Sequence, residues 1–228
     1  MKKILLIVLV VLIVIVVAVF GIQAAGMRAN LNTLSIKKVS DQSIELPNEL
    51  NSVDIKVRTA KVTIEKGNKS EVIIKNKVVG QYKIDSKDNQ VSILEQNYGK
   101  HQLEIGKSAS ILIRVKNAQN MNQIKINQLN GTLNLNSLKV NNLSVDHQNG
   151  TTLANNLNLP TGGSINKKNG TTNLKNINTP GLKVSVKSGN FELNGRKKAS
   201  SKHTYTDNST KQLQINSGSG QVKISTVK

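Results

Sequence analysis

The sequence predicts an all-β fold, a single parallel β-solenoid (β-helix-like) of about 19–20 residues per coil, preceded by one N-terminal transmembrane helix. Three observations point there. An unbroken apolar run opens the chain, a turn glycine recurs at a near-constant interval behind it, and aromatics make up only 2% of the residues. Cores normally lean on Phe, Tyr and Trp. An interior without them must be filled by thin layers of Ile, Leu and Val, which here alternate with Asn, Lys, Ser and Thr. Branched aliphatic residues in alternation suit a pleated, half-buried surface.

The first element is the helix. From Ile4 to Ile22 no polar side chain interrupts the sequence. At 1.5 Å per residue that run spans roughly 28 Å, close to the hydrocarbon thickness of a bilayer. A secretory signal has a shorter apolar region of about 7–15 residues. Residues 1–26 therefore read as a retained anchor, with cleavage near Ala24–Gly26 as the alternative. Lys2 and Lys3 stay in the cytoplasm, so the expected location is the cell membrane, single-pass, with the C-terminal domain extracellular. A cleaved chain is secreted instead. There is no Cys, which excludes a lipid-modified terminus, disulfides and thiolate metal sites. Residues 27–43 are expected to be a juxtamembrane linker, and 44–228 the solenoid.

The solenoid rests on a repeat. Gly131, Gly150, Gly170 and Gly189 each follow Asn or Ser at a turn, at intervals of 19, 20 and 19 residues. Apolar residues fall seven and five before the glycine and two and four after it. Around Gly131 they are Ile124, Ile126, Leu133 and Leu135; around Gly189, Leu182, Val184, Phe191 and Leu193; around Gly220, Leu213, Ile215, Val222 and Ile224. Ala60 occupies the glycine position between Val53, Ile55, Val62 and Ile64. Gly150 keeps Leu143 and Val145 but shifts to Leu153 afterwards, and Gly170 matches least. Each unit reads as strand, tight turn, strand, with a glycine free to take φ > 0. A chain of hairpins also fits that description. Stacked coils fit better, because Asn130, Asn149, Asn169 and Ser188 then form one column, an amide ladder ending in a hydroxyl.

The opening "SVDIKVRTAKVTIEKG", the repeated strand–Asn/Ser-Gly–strand units and the closing "LQINSGSGQVKIS" resemble the putative-adhesin family of bacterial envelope proteins, the domain of unknown function 4097 group. The resemblance runs from about Ile44 to Val227. It implies a β-solenoid ectodomain, links in some members to cell-envelope stress responses, and no catalytic residues. Members commonly carry Asp after the turn glycine. Here Thr132, Thr151, Thr171, Asn190 and Gln221 stand there, which removes acidity from that column.

Catalytic and metal chemistry find little support. "LPTGG" at Leu159–Gly163 lacks the residue a sortase signal needs between Pro and Thr and lies mid-chain, so it reads as a coil corner. Asp146–His147 is an adjacent acid–base pair without a nucleophile or second carboxylate beside it, and reads as a surface pair. His101, His147 and His203 are too scattered for a metal. Sequons such as those at Asn68, Asn142, Asn149, Asn169 and Asn208 follow from the Asn-rich composition. No cofactor is expected.

The basic residues carry the functional signal. The formal charge is +19, and from Gly106 onward 17 Lys/Arg face only Asp146, Glu192 and Asp207. Lys167, Lys168, Lys187, Arg196, Lys197 and Lys198 are the candidate anion-binding residues. If consecutive coils stack, Lys168 and Lys187 lie about 5 Å apart and repel unless an anion separates them. Nucleic acid is not expected, since single-strand binders need aromatic stacking platforms. Outside a bacterial, Gram-positive type of cell, teichoic acid and anionic lipid are the polyanions at hand. The reading is thus an envelope-anchored binding or adhesin-like module and not an enzyme. The alternatives are a polysaccharide-acting β-helix enzyme, which needs a carboxylate cluster, and a scaffold for another envelope protein.

Overall fold

A long apolar run has no water to satisfy its backbone in a bilayer, and a helix closes those bonds internally. The first segment is accordingly α1 (Lys2–Ala24), with none of its residues buried against protein. It is long and apolar enough to cross a membrane. The rest of this computed structural model is β-structure, described at every residue except His101, Asn208 and Lys228. The histidine at 101 and the sequon at 208 therefore lie outside the described residues.

Behind α1 come β1 (Met27–Asn30), β2 (Ser35–Glu45), β3 (Ser52–Lys66), β4 (Glu71–Val78) and β5 (Tyr82–Lys87). Next are β6 (Gln90–Glu95), β7 (Glu104–Ile105), β8 (Ala109–Val115) and β9 (Met121–Asn158). The chain finishes with β10 (Gly163–Asn178), β11 (Leu182–Leu193), β12 (Arg196–Ser200), β13 (His203–Thr206) and β14 (Leu213–Thr226). The middle of the molecule is a parallel stack. The two legs of β3 pair with β6 and β8 on one side and with β9 on the other. The long β9 makes two coils, the second pairing with β10. Then β10 pairs with β14, and β14 with β11.

That order corrects the expected solenoid in two ways. The sheet is mixed. Antiparallel strands close both ends: β5 and β4 on the β6/β8 coil, β2 on β4, and β12 and β13 on β11. Covering the last coils in this way hides backbone groups that an open edge leaves available for aggregation. The stack is also not in chain order, because β14, the last strand, lies between β10 and β11.

The repeat survives the reordering. Ala60 pairs with Gly131, Gly150 with Gly170, and Gly220 with Gly189, and all five glycines have φ between 109° and 140°. The polar column beside them is hydrogen-bonded. Asn130 Nδ2 donates to Thr59 Oγ1 (3.3 Å), Asn149 to Asn130 Oδ1 (3.1 Å) and Asn169 to Asn149 Oδ1 (2.8 Å), and the Ser219 hydroxyl donates to Asn169 Oδ1 (2.8 Å). The hydroxyl that ends the amide run is Ser219, since Ser188 now belongs one coil further on. A second corner column, unread in the sequence, holds Ser137, Asn156, Asn176 and Asn194 at φ of 51–56°, a conformation Asn tolerates better than most residues. "LPTGG" does form the corner between β9 and β10.

The interior is aliphatic. Val53, Ile55, Val62, Ile64, Ile124, Ile126, Leu133 and Leu135 are at most 1% exposed, and Phe191 fills the same layer near the far end. Each such side chain contributes on the order of 1.5–3 kcal/mol by leaving water. The shift to Leu153 does not occur. Thr152 and Ala154 are the buried residues of that strand, in step with Thr172 and Leu174 of β10.

Residues 27–43 are no linker. β1 and β2 form a hairpin, and β7 flanks β1. Arg28, only 4% exposed, clasps this sheet to the stack. Its guanidinium donates to Gln81 Oε1 (3.1 Å) and the Asn76 and Lys107 carbonyls (2.5 and 2.8 Å), and pairs with Glu104 at 3.5 Å. Arg28 and Glu95 both line a cavity between this sheet and the stack, and burial, the leading influence, pushes the Glu95 carboxyl up from the usual range. Removing a buried cation strands the groups it served, at about 3–5 kcal/mol. Arg28→Ala is therefore expected to release residues 27–45 first, seen as their loss of amide-exchange protection while the stack stays protected.

Candidate functional site

Strand alternation sorts the basic residues before any contact is considered. Ile165 faces the interior, so Lys167, two residues on, faces it too, and Lys168 faces solvent. Lys167 is 5% exposed. Its ammonium donates to the Gly150 carbonyl (2.9 Å), and Thr152 Oγ1 and His147 Nδ1 each lie 3.4 Å away. His147, fully buried, sits one coil earlier in the same column, with Nδ1 2.8 Å from Thr152 Oγ1. Burial pushes the Lys167 ammonium down to about 8. Burial and then the Lys167 charge push His147 down to about 4. Gln128 and Ser217 extend this interior polar column on either side.

Two expectations are thereby corrected. Lys167 does not present its ammonium at the surface, because the side chain turns into the stack and donates to the Gly150 carbonyl. Asp146 and His147 are not a surface pair, because neighbouring residues of one strand point to opposite faces. The parity of Val145 and Ile165 carried this signal in the sequence.

The outer face retains a different arrangement. Lys168, Gly218 and Lys187 occupy successive strands of β10, β14 and β11, two positions before the turn glycine. The insertion of β14 roughly doubles the separation of the two lysine backbones to about 10 Å, beyond the screening length of about 8 Å. Repulsion between the lysines thus supplies no argument for a ligand; the shape between them does. A β-carbon on Gly218 meets the Lys168 carbonyl oxygen at 2.4 Å, so the position between the two cations carries no side chain.

The result is an open groove whose rim is formed by Asp146, Gln148, Asn166, Lys168, Lys187 and Asn216, with Lys167, Ser217 and Gly218 in its floor. Asn216 Nδ2 donates to Asn166 Oδ1 (2.9 Å), and Gln148 Nε2 to Asp146 Oδ1 (2.5 Å). The acid at the edge is thus already hydrogen-bonded. Among the described residues no carboxylate pairs with Lys168 or Lys187 within ion-pair distance. Arg196, Lys197 and Lys198 are exposed but stand apart on β12, where Arg196 and Lys197 lie opposite Leu193 and Glu192 and Lys198 falls at a register shift. The structure brings together three of the six candidate residues, Lys168 and Lys187 at the surface and Lys167 in the floor beneath them. Gly218 is the member sequence reasoning missed, because its neighbours become visible only once β14 is inserted.

Neither groove hydroxyl, on Ser185 or Ser217, is hydrogen-bonded to Lys167, and among the described residues no His, Asp and Glu cluster is suited to a metal. A family model described as Toastrack DUF4097 matches residues 50–226. The chain belongs to that family. Its Toastrack domain is mostly β, with the apolar helix outside the matched region. A "putative cell adhesion protein" from Clostridium sporogenes is similar in structure, with 14% identity, a TM-score of 0.61, and 83% of this chain and 100% of that chain covered. At that identity the likeness shows the fold alone. A "putative adhesin" from Bacteroides fragilis covers 84% of this chain and 98% of its own at 13% identity and a TM-score of 0.33, too low to carry an argument. No functionally curated protein matches the chain.

Proposed function

We propose that this chain is a membrane-anchored binding module whose β-stack faces the exterior and takes phosphate-bearing polymer or lipid in the Lys168–Gly218–Lys187 groove. The observation that supports it most is the pair of unpartnered cations flanking a strand that has no side chain between them. Two exposed ammonium groups on a rigid floor can grip successive negative charges of a chain-like polyanion without first ordering a loop. The apolar α1 supports anchoring by its length. The acid-poor surface around the groove supports binding over hydrolysis of polysaccharide, which needs paired carboxylates. Arg196, Lys197 and Lys198 add long-range attraction from β12.

The double variant Lys168→Gln/Lys187→Gln is the test. Each lysine near an anionic surface contributes on the order of 1 kcal/mol, so binding to purified teichoic acid or anionic vesicles should weaken about 10–30-fold. Running polymer and vesicles separately identifies which of them is the ligand. Binding by the parent should fall steeply with salt. Lys211→Gln, exposed away from the groove, should leave affinity unchanged. A double variant that binds both ligands like the parent reduces the groove to a solubilising surface.

A further inference from the structure

The small sheet β2–β1–β7 is amphipathic in the wrong sense for a protein surrounded by water. Its register puts Met27 opposite Lys38, Arg28 opposite Lys37, Ala29 opposite both Ile36 and Ile105, and Asn30 opposite Glu104. One face therefore carries Arg28, Asn30 and Glu104, which line the polar cavity against the stack. The other carries Lys38, the buried Ala29, the partly buried Ile105 and four exposed apolar residues, Met27, Leu31, Ile36 and, by alternation, Leu103. Those four are 38%, 47%, 59% and 55% exposed. Polar groups turned inward and aliphatic groups turned outward are expected where the outside is apolar.

Two further observations point the same way. The sheet follows α1 after only Ala25 and Gly26, and α1 contacts β1. The hairpin tip is also built to hold leucine outward. Leu34 is 88% exposed at φ 49°, a conformation that disfavours a bulky side chain. The tip is rigid: Asn30 Oδ1 accepts from the Asn32 and Thr33 amides (2.9 and 3.2 Å), and Asn32 Oδ1 from the Leu103 amide (2.6 Å). Strain held at an exposed apolar residue is a mark of use.

We infer that the outer face of β2–β1–β7 is seated in the lipid interface of the membrane that α1 spans, as a second contact beside the helix. This rests on α1 being a retained anchor. The sheet holds Leu31, Leu34, Ile36 and Leu103 at the headgroup–acyl boundary, about 5–10 Å deep as interfacial apolar faces lie. Lys38, exposed beside Met27, reaches back to the phosphates. Seated in this way, the stack keeps one tilt relative to the bilayer and does not swing on a flexible tether.

The chain contains no Trp, so a single introduced Trp reports without background. Full-length Ile36→Trp and Leu103→Trp are reconstituted into bilayers of neutral lipid, with Lys211→Trp, exposed at a corner far along the stack, as control. The two sheet variants are expected to emit at shorter wavelength than the control and to be quenched by lipid brominated near the headgroup end of its acyl chains. If the chain stays in the bilayer at alkaline carbonate wash while both sheet Trp residues emit like the control, the seated face is wrong and the anchor stands. If carbonate removes the chain, the anchor fails, and this inference with it.

Discussion

Gly150→Val is expected to abolish the folded stack, not merely loosen one turn. Gly150 has φ 122°, which a β-branched residue adopts only with strain, worth about 1–3 kcal/mol. The larger effect is steric. A β-carbon there lies 1.9 Å from the Gly131 carbonyl oxygen, a backbone atom held in its own coil and unable to rotate away. Relief requires two coils to part, and each coil is stabilised mainly by its neighbours. The combined cost approaches the whole stability of a domain this size, about 5–15 kcal/mol. Gly170→Val meets the Gly150 oxygen at 2.0 Å and should behave alike, whereas Gly163, without a positive φ and 3.0 Å from Leu143, should be milder. Urea midpoints of the three variants check the order. A Gly150→Val chain that unfolds at the parent's midpoint refutes the glycine column.

The second large effect is on the pH dependence of stability. His147 titrates near 4 in the folded protein against 6.5 for a free histidine. Between those values the unfolded chain binds a proton that the folded chain excludes, so stability falls as pH drops from 6.5 towards 4. Over that window the loss from this one residue should be about 2–3 kcal/mol. Lys167 acts at the other end. Its folded value near 8, against 10.5, means the unfolded chain holds the extra proton between those limits, and stability rises with pH there. Both signs follow from burying a base. His147→Gln tests the acid limb, and Gln is the residue that already fills this column one coil away, at Gln128. Its midpoint should change less between pH 7 and 4.5 than the parent's. Carboxylates titrate in both proteins and cancel in the difference. Lys167→Met should likewise flatten the rise above pH 8. Equal slopes in parent and His147→Gln refute the neutral buried imidazole.

Much of the fold was legible because its decisive features are local or periodic. An apolar run from Ile4 to Ile22 specifies a helix by length and composition alone. Glycines at intervals of 19 and 20 residues specify coils, and the Asn column followed from them. Lys167 and His147 were equally legible by parity with Ile165 and Val145, but their charge outweighed the alternation in the reading. The candidate site was legible only in part, since its basic residues could be named but not grouped.

What the sequence by itself determined was the unit: strand, glycine corner, strand, with aliphatic residues at fixed offsets and a membrane-length helix in front. Each coil carries nearly the same offsets, so its pattern satisfies any neighbour equally well, and local information cannot rank the pairings. Only the tertiary structure decided that β14 lies between β10 and β11, that antiparallel strands close the ends, and that Met27–Glu45 folds back onto the stack. The groove at Lys168, Gly218 and Lys187 exists because of that one choice of neighbour. Its residues are 19 to 50 positions apart in the chain and adjacent only through backbone hydrogen bonds between strands.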